Sequence, residues 1–175
     1  MDLYRSGVEL IQPKCIAVGK HKPIELSEQE HAMVCNIGAA GQLESVRSFK
    51  RIRVNGHTVC SKEYSSRSSR RNNSIIAYKR GAKTGYGRLL KFIECSFESS
   101  NECHHLAMVE RLDKLATTLM ADTITNGKLQ HIQECQATTV TELITCDTII
   151  APVIVIHVQD HMYVAQLPNR TEIDL

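Results

Sequence analysis

This 175-residue chain contains seven cysteines and eight histidines, whose side chains can bind metal ions or take part in nucleophilic catalysis. Cys103 lies eight residues after Cys95 and is followed by His104 and His105, and thiolates and imidazoles are preferred ligands of Zn²⁺. A structural zinc site needs further ligands, and the chain contains no C-x-x-C pair. His104 and His105 are neighbours on an expected strand, so their side chains point to opposite faces. The sequence therefore predicts no metal site and no cofactor.

The acidic residues do not form a catalytic pattern. Two-metal nucleases need carboxylates that converge on cations about 4 Å apart, whereas the acids of this chain are scattered singly over expected turns and termini. A cysteine–histidine nucleophile needs a third, orienting group, which the sequence does not reveal. We therefore expect that the chain is not an enzyme, with no catalytic residue and no small-molecule substrate.

Positive charge is concentrated in one part of the chain. Residues 47–91 contain thirteen lysines and arginines and a single acid, Glu63, whereas the rest of the chain contains eight basic and eighteen acidic residues. The formal net charge of +2 therefore hides a strongly basic segment within an otherwise acidic chain. Such a segment predicts an anionic partner, either the phosphate backbone of a nucleic acid or an acidic protein.

We interpret the basic segment as a phosphate-binding face. Arginines at alternate strand positions present guanidinium groups to one side, and SSRSSRRNNS adds hydroxyl and amide donors for phosphate oxygens. Tyr64, Tyr78 and Tyr86 lie among them and can stack on bases, although Tyr78 also suits the core. The alternative is a solvated sheet edge whose charge only prevents aggregation. The predicted nucleic-acid-binding residues are Arg51, Arg53, Arg67, Arg70, Arg71, Lys79, Arg80 and Arg88.

A predicted β-meander over residues 48–97 must position these side chains. Asn55-Gly56 predicts a two-residue type I′ turn, which pairs Val54 with His57. A further strand, SIIAYKR, is expected to turn through GAKTG at residues 81–85 into the strand YGRLLKFIECSF. We assign the glycines of GYG to the turn that closes this hairpin.

The chain outside the meander supplies weaker signals. Ser27 followed by Glu30 forms a capping box, which predicts a short helix over residues 28–34. GAAGQ at residues 38–42 indicates a linker, which divides the chain into an N-terminal segment, 1–41, and a β-rich domain, 42–175. CHHLAMVERL and MYVAQL are predicted strands, and TIIAPVIVIHV is predicted as a buried core strand interrupted at Pro152. LQHIQECQATTVTELI has a mixed period and predicts neither helix nor strand.

Together these elements predict an all-β or β-dominated fold, a partly closed antiparallel barrel with a short N-terminal helix. The apolar content of 42% is sufficient for a sizeable core.

Seven irregularly spaced cysteines and an N-terminus without an apolar signal region favour reduced thiols in an intracellular protein. The longest apolar run, residues 149–158, is about half as long as a membrane helix. We therefore expect no membrane association.

Three stretches carry a resemblance to a known family. VNGHTVCSKEYSSRSSRRNNSIIAYKR, YGRLLKFIECSF and VIVIHVQDHMYVAQLPNRTEID, taken in this order, resemble a β-rich region near the C-terminal end of proteins encoded by CACTA (En/Spm-like) transposons. The resemblance covers residues 46–174. The chain departs from the family pattern after the Asn-Gly turn, where His57 and Val59 replace aromatic residues.

The resemblance implies an accessory domain of a transposase-like protein, whose catalytic ribonuclease-H-like domain would lie upstream. Combined with the basic segment, it predicts a nuclear, non-catalytic module that binds nucleic acid through the basic β-meander. A protein-recognition module for an acidic partner is the alternative. Specific base readout is not expected, because the sequence contains no evident recognition helix.

Overall fold

The computed structural model describes residues 8–12, 15–37, 41–66, 73–98, 100–116 and 132–166. These ranges contain twelve strands and two helices, α1 (Glu28–Cys35) and α2 (Lys62–Ser66). A short 3-10 turn, Cys146–Thr148, precedes the eleventh strand. The strands are β1 (Val8–Gln12), β2 (Cys15–Val18), β3 (Lys22–Pro23), β4 (Leu43–Phe49), β5 (Arg51–Val54), β6 (His57–Cys60), β7 (Ile75–Arg80), β8 (Lys83–Phe97), β9 (Ser100–Lys114), β10 (Ile132–Thr145), β11 (Ile149–Val158) and β12 (His161–Gln166).

Six of these strands close into an antiparallel barrel. Backbone hydrogen bonds join β8, β7, β11, β12, β10 and β9 in that order, and β9 pairs back with β8. Strand β8 is long enough to pair with β7 along its first half and with β4 along its second half. Strand β3 then extends the sheet beyond β4. The predicted β-dominated barrel is confirmed, and its ring closes completely through the β8–β9 pairing.

One apolar cluster fills the interior of the barrel. All six strands contribute to it, because alternate side chains of each strand point inward. Its only hydroxyl, that of Tyr86, accepts a hydrogen bond of 3.1 Å from the Gln166 side-chain amide, so this phenol is not buried without a polar partner. The buried members are Ile75, Ala77, Tyr86, Leu112, Cys135, Val153 and Val164.

A second, four-stranded sheet packs on the outside of the barrel. Its strand order is β1-β2-β5-β6, all antiparallel. The alternation of apolar and polar residues in β5 places Ile52 and Val54 against the barrel and turns Arg51 and Arg53 the other way. The buried residues between small sheet and barrel include Ala17, Val59, Ile76, Tyr78 and Leu89. The basic side chains of β5 therefore lie on the outward face.

The turn predictions have two different outcomes. Asn55 and Gly56 both have positive φ, 48° and 80°, and Val54 pairs with His57, which confirms the type I′ turn between β5 and β6. The predicted five-residue turn at residues 81–85 is wrong in length. Arg80 pairs directly with Lys83, so the turn has two residues, and β8 begins at Lys83.

Helix α1 confirms the predicted capping box. The Ser27 hydroxyl accepts from the Glu30 N–H at 3.3 Å, and the Glu30 carboxylate accepts from the Ser27 N–H at 3.0 Å. Val34 buries its side chain against the outer face of β8 and β9. Among the described residues, no helix is long and apolar enough to cross a membrane.

The N-terminal strands are built into both sheets. Strand β2 lies beside β5, with Cys15 opposite Val54 and Val18 opposite Arg51. Strand β3 pairs with β4 through Lys22 and Ser48. The segment 1–41 is thus joined to residues 42–175 by backbone hydrogen bonds as well as by the chain. The middle of the predicted linker, residues 38–40, lies outside the described residues.

Strand β11 is a core strand along only part of its length. Ile149 and Val153 are buried, and the Asn55 side chain of the small sheet donates to the Ile150 carbonyl at 2.9 Å. Beyond that contact the outer face is open: Ile154 and Val158 are 44% and 51% exposed. The prediction of a buried strand throughout is therefore wrong for the second half, which the small sheet does not cover.

Gly85 and Gly87 lie inside β8, not in the hairpin turn to which the sequence analysis assigned them. The aromatic ring of Tyr78 packs over both. A Cβ added at Gly85 would lie 2.9 Å from the Tyr78 ring, and one at Gly87 would lie 2.1 Å from Val109 Cγ1 and 3.0 Å from the Glu110 carbonyl oxygen. The two glycines therefore provide the space for a fully buried tyrosine beneath the small sheet.

We expect Gly87→Ala to lower the free energy of unfolding by about 1–3 kcal/mol. The added methyl group would press on the Glu110 carbonyl of β9, which is held in place by the pairing of β8 with β9. Urea unfolding of both proteins measures this difference. The exposed Lys83 of the same strand gives a control: Lys83→Ala should change the stability by less than about 0.5 kcal/mol. Equal unfolding midpoints for Gly87→Ala and the unmodified chain would contradict the packing described for Tyr78.

Candidate nucleic-acid interface

The predicted phosphate-binding residues divide into three groups. Arg51 and Arg53 lie on the outward face of β5, with Arg53 exposed and Arg51 half-buried. Lys79 and Arg80 are exposed at the end of β7, and Arg88 lies in the middle of β8. The remaining three, Arg67, Arg70 and Arg71, lie outside the described residues.

Two of the predicted arginines are engaged by carboxylates. Arg80 Nη2 lies 3.0 Å from a Glu142 oxygen, and Glu142 also contacts Arg111 at 3.3 Å. Arg88 Nη1 lies 3.4 Å from Glu110 on the neighbouring strand, on the face of β8 that carries the barrel interior. The structure therefore does not bring Arg88 together with Arg51 and Arg53, and it pairs Arg80 with Glu142.

A pocket beside Arg51 gathers basic residues from two parts of the chain. Lys20 lies in the connection from β2 to β3 and Lys22 is the first residue of β3, while Lys50 lies at the bend between β4 and β5, next to Arg51. Tyr64 of α2 closes one side. We call this site, formed by Lys20, Lys22, Lys50, Arg51 and Tyr64, the basic pocket.

The contacts inside the basic pocket leave its charge largely directed to solvent. The Arg51 guanidinium carbon lies 5.1 Å from the centre of the Tyr64 ring, a cation–π contact that fixes the arginine without neutralising it. Glu63 lies 3.9 Å from the Lys50 ammonium, and both side chains are exposed to water, which weakens the ion pair. Lys20 and Lys22 are exposed. The pocket therefore presents a positive potential beside an aromatic wall.

The size of the basic pocket limits what it can hold. Its volume is ≈ 170 Å³, which corresponds to roughly five or six water molecules at about 30 Å³ each. Sites for drug-sized molecules are typically about 300–1,000 Å³ and mostly apolar. The pocket is therefore large enough for a phosphate group, and its cationic lining matches the phosphate charge.

Sequence reasoning missed Lys20, Lys22 and Lys50 as site residues. The first two lie before the expected linker, in a segment that the sequence did not connect to the meander. The signal that would have found them is the run CIAV followed by GKHK, a short strand that ends in alternating lysines. Because that strand pairs with β5, Val18 lies opposite Arg51, and Lys20, two residues further on, lines the same pocket as the arginine.

The cysteines do not provide a nucleophile in the barrel. All seven lie in the described residues, and none forms a disulfide bond. Burial raises the pKa of the thiols of Cys15, Cys95 and Cys135 to about 11. Complete burial also raises the pKa of the Cys146 thiol well above its ordinary value. Since the thiolate is the reactive form, these four groups are inert at neutral pH.

Comparison with known proteins adds no relative: no protein-family model matches the chain, and no curated protein matches it in sequence.

We expect native cysteines to differ sharply in alkylation by iodoacetamide at pH 8. Cys103 is exposed and Cys35 half-buried, so both should be modified quickly, whereas the four inert thiols should react at least about 100-fold more slowly because so little thiolate is present. Peptide mapping by mass spectrometry after timed labelling measures each rate. The same four cysteines should react readily in urea, and rapid native labelling of Cys146 would contradict the described core.

Proposed function

We propose that the chain is a non-catalytic module that binds nucleic acid through backbone phosphates, with the basic pocket and the outward arginines of β5 as its contact surface. The residues assigned to this surface are Lys20, Lys22, Lys50, Arg51 and Arg53.

The observation that carries the proposal is the contrast between two groups of basic residues. Arg80, Arg88 and Arg111 are each within 3.4 Å of a carboxylate oxygen, so phosphate would have to displace an existing partner. In the basic pocket, within the part of the chain that the structure describes, Lys50 lies 3.9 Å from Glu63, a longer distance than in these three pairs. Neutralising a phosphate there releases counterions without breaking a strong ion pair.

The geometry favours binding without base specificity. Strands β2 and β5 are only four residues long, and both α1 and α2 lack the length and basic outer face of a recognition helix in the major groove. Tyr64 stands beside the cations, where a single-stranded base can stack on it. Phosphate contacts position a protein on nucleic acid but do not read its sequence.

The resemblance to CACTA-type proteins supports the cellular setting that we propose. An accessory domain of a transposase-like protein would hold DNA near a catalytic domain and would act in the nucleus. Within that setting the chain would contribute affinity, and the cleavage chemistry would come from another domain. Incubation of the purified chain with Mg²⁺ and duplex DNA should accordingly yield no cleavage products.

We expect binding to duplex DNA to weaken with salt, with log K falling at a slope near −3 to −4 if about four phosphates are contacted at about −0.9 each. The double variant Lys20→Ala/Lys22→Ala should flatten the slope by about 1.8, because two contacts are lost. Fluorescence anisotropy with a labelled duplex between about 50 and 200 mM salt measures both slopes.

The variant Lys79→Ala/Lys83→Ala provides a control of equal charge, since it removes two exposed lysines from the tip of the β7–β8 hairpin. Its slope should stay within about half a unit of the unmodified chain. Equal losses in both double variants would assign the effect to overall charge and not to the basic pocket. Binding to polyglutamate combined with no binding to DNA would favour an acidic protein as the partner and overturn the proposal.

A further inference from the structure

A second polar cluster lies on β4, β8 and β9, where these strands leave the barrel. Arg47, Glu94 and His105 form a row across the sheet, because Arg47 pairs with Glu94 and Glu94 pairs with His105. Cys103 precedes His105 by two residues on β9 and therefore faces the same side. The phenyl ring of Phe49 lies at the inner end of this row and forms an edge contact with His105, 6.0 Å between ring centres.

Glu94 is the centre of this cluster. Its side chain is 2% exposed, and its Oε2 atom lies 2.6 Å from His21 Nδ1 and 3.4 Å from His105 Nε2. The guanidinium of Arg47 contacts the other oxygen. A buried carboxylate is costly unless several cations or donors surround it. His21 is held over the carboxylate by stacking on Phe49, with 4.8 Å between the ring centres.

We propose that Glu94, Cys103 and His105 bind a divalent transition-metal ion, with Zn²⁺ as the physiological candidate. One ligand atom from each residue lies within 4.8 Å of the other two. In a tetrahedral zinc site with bonds of about 2.0–2.3 Å, ligand atoms are roughly 3–4 Å apart. Cys103 is exposed, so rotation of its side chain can close that difference without moving the buried residues.

The ligand chemistry selects the ion. A thiolate and an imidazole favour zinc or a similar borderline metal over Mg²⁺ and Ca²⁺, which prefer oxygen ligands. Three protein ligands leave a fourth position for water on the exposed side of Cys103. Binding requires the thiolate, so the Cys103 thiol proton passes to solvent, and the affinity should rise with pH.

Arg47 and His21 act as positioning residues for this site. Arg47 contacts Oε1 of the Glu94 carboxylate and His21 contacts Oε2, which fixes the orientation of the carboxylate as outer partners of metal ligands commonly do. The competing explanation is an ion-pair network of Arg47, Glu94 and His21 that only satisfies a buried carboxylate. A metal site requires the Cys103 thiolate as a ligand, whereas the ion-pair network predicts no stoichiometric metal binding, so the Cys103→Ser variant distinguishes the two explanations.

The test is titration of the purified chain with Co²⁺, followed by displacement with Zn²⁺. We expect one ion per chain, with a thiolate-to-cobalt charge-transfer band that Zn²⁺ abolishes. Cys103→Ser should lose the band and lower the Zn²⁺ affinity at least about 100-fold, because loss of an outer partner alone costs about 10–100-fold. His105→Gln should weaken the affinity similarly.

A matched control comes from helix α1, where Cys35 Sγ lies 3.6 Å from His31 Nδ1. This is another cysteine–histidine pair, but among the described residues no carboxylate joins it as a third ligand. Cys35→Ser should therefore keep the cobalt band, the stoichiometry and the affinity. Circular dichroism of each variant establishes that the fold is intact, and Zn²⁺ should raise the melting temperature of the unmodified chain and of Cys35→Ser only.

Alkylation provides an independent readout that needs no nucleic acid. Zn²⁺ should slow iodoacetamide labelling of Cys103 and leave the labelling rate of Cys35 unchanged. The proposal is overturned if the unmodified chain binds no stoichiometric ion at micromolar Zn²⁺. It is equally overturned if Cys103→Ser binds Zn²⁺ as tightly as the unmodified chain, because the thiol is then not a ligand.

Discussion

The antiparallel pairing of β8 with β9 is the interaction on which the rest of the structure depends. Both strands are fifteen residues long. Their pairing closes the barrel at one end, and at the other end β8 also pairs with β4, which in turn pairs with β3. A register shift between Leu89 and Lys91 lets β8 belong to the barrel before the shift and pair with β4 after it. Before the shift, the face of β8 that carries Tyr86 points into the barrel. After the shift, Glu94 of β8 pairs with His105 of β9. A bulge of this kind redirects side chains without ending the strand.

Local signals in the sequence were sufficient to predict several elements. The type I′ turn depends on two adjacent residues with positive φ, and the capping box on two side chains three residues apart, so neither needs tertiary information. The β-dominated class followed from β-branched residues in repeated short runs. Strand β10 was missed because its register shifts between Ala137 and Thr141, which interrupts the period of two by which strands are predicted.

Long-range pairing explains what the sequence could not reveal about the two sites. Arg88 was predicted to face a ligand, but its carboxylate partner Glu110 becomes a neighbour only when β8 meets β9. Similarly, Cys103 and His105 gain a third polar neighbour, Glu94, from another strand. Spacing rules detect ligands that are close along the chain, such as C-x-x-C, and they overlook ligands that a strand register brings together.

Residues 20–22 connect β2 of the small sheet with β3 of the eight-stranded sheet that contains the barrel. This connection matters for the choice of protein fragments. Lys20 and Lys22 line the basic pocket, while His21 between them contacts Glu94. A fragment that begins at residue 42 would lack all three, and it would also lack β2, which covers one edge of β5. The backbone groups along that edge would then be open to pairing with other molecules. The proposed phosphate contacts of Lys20 and Lys22 and the contact of His21 with Glu94 would be lost together with the cover of β5, and such a fragment would report an assembly defect in place of a chemical one.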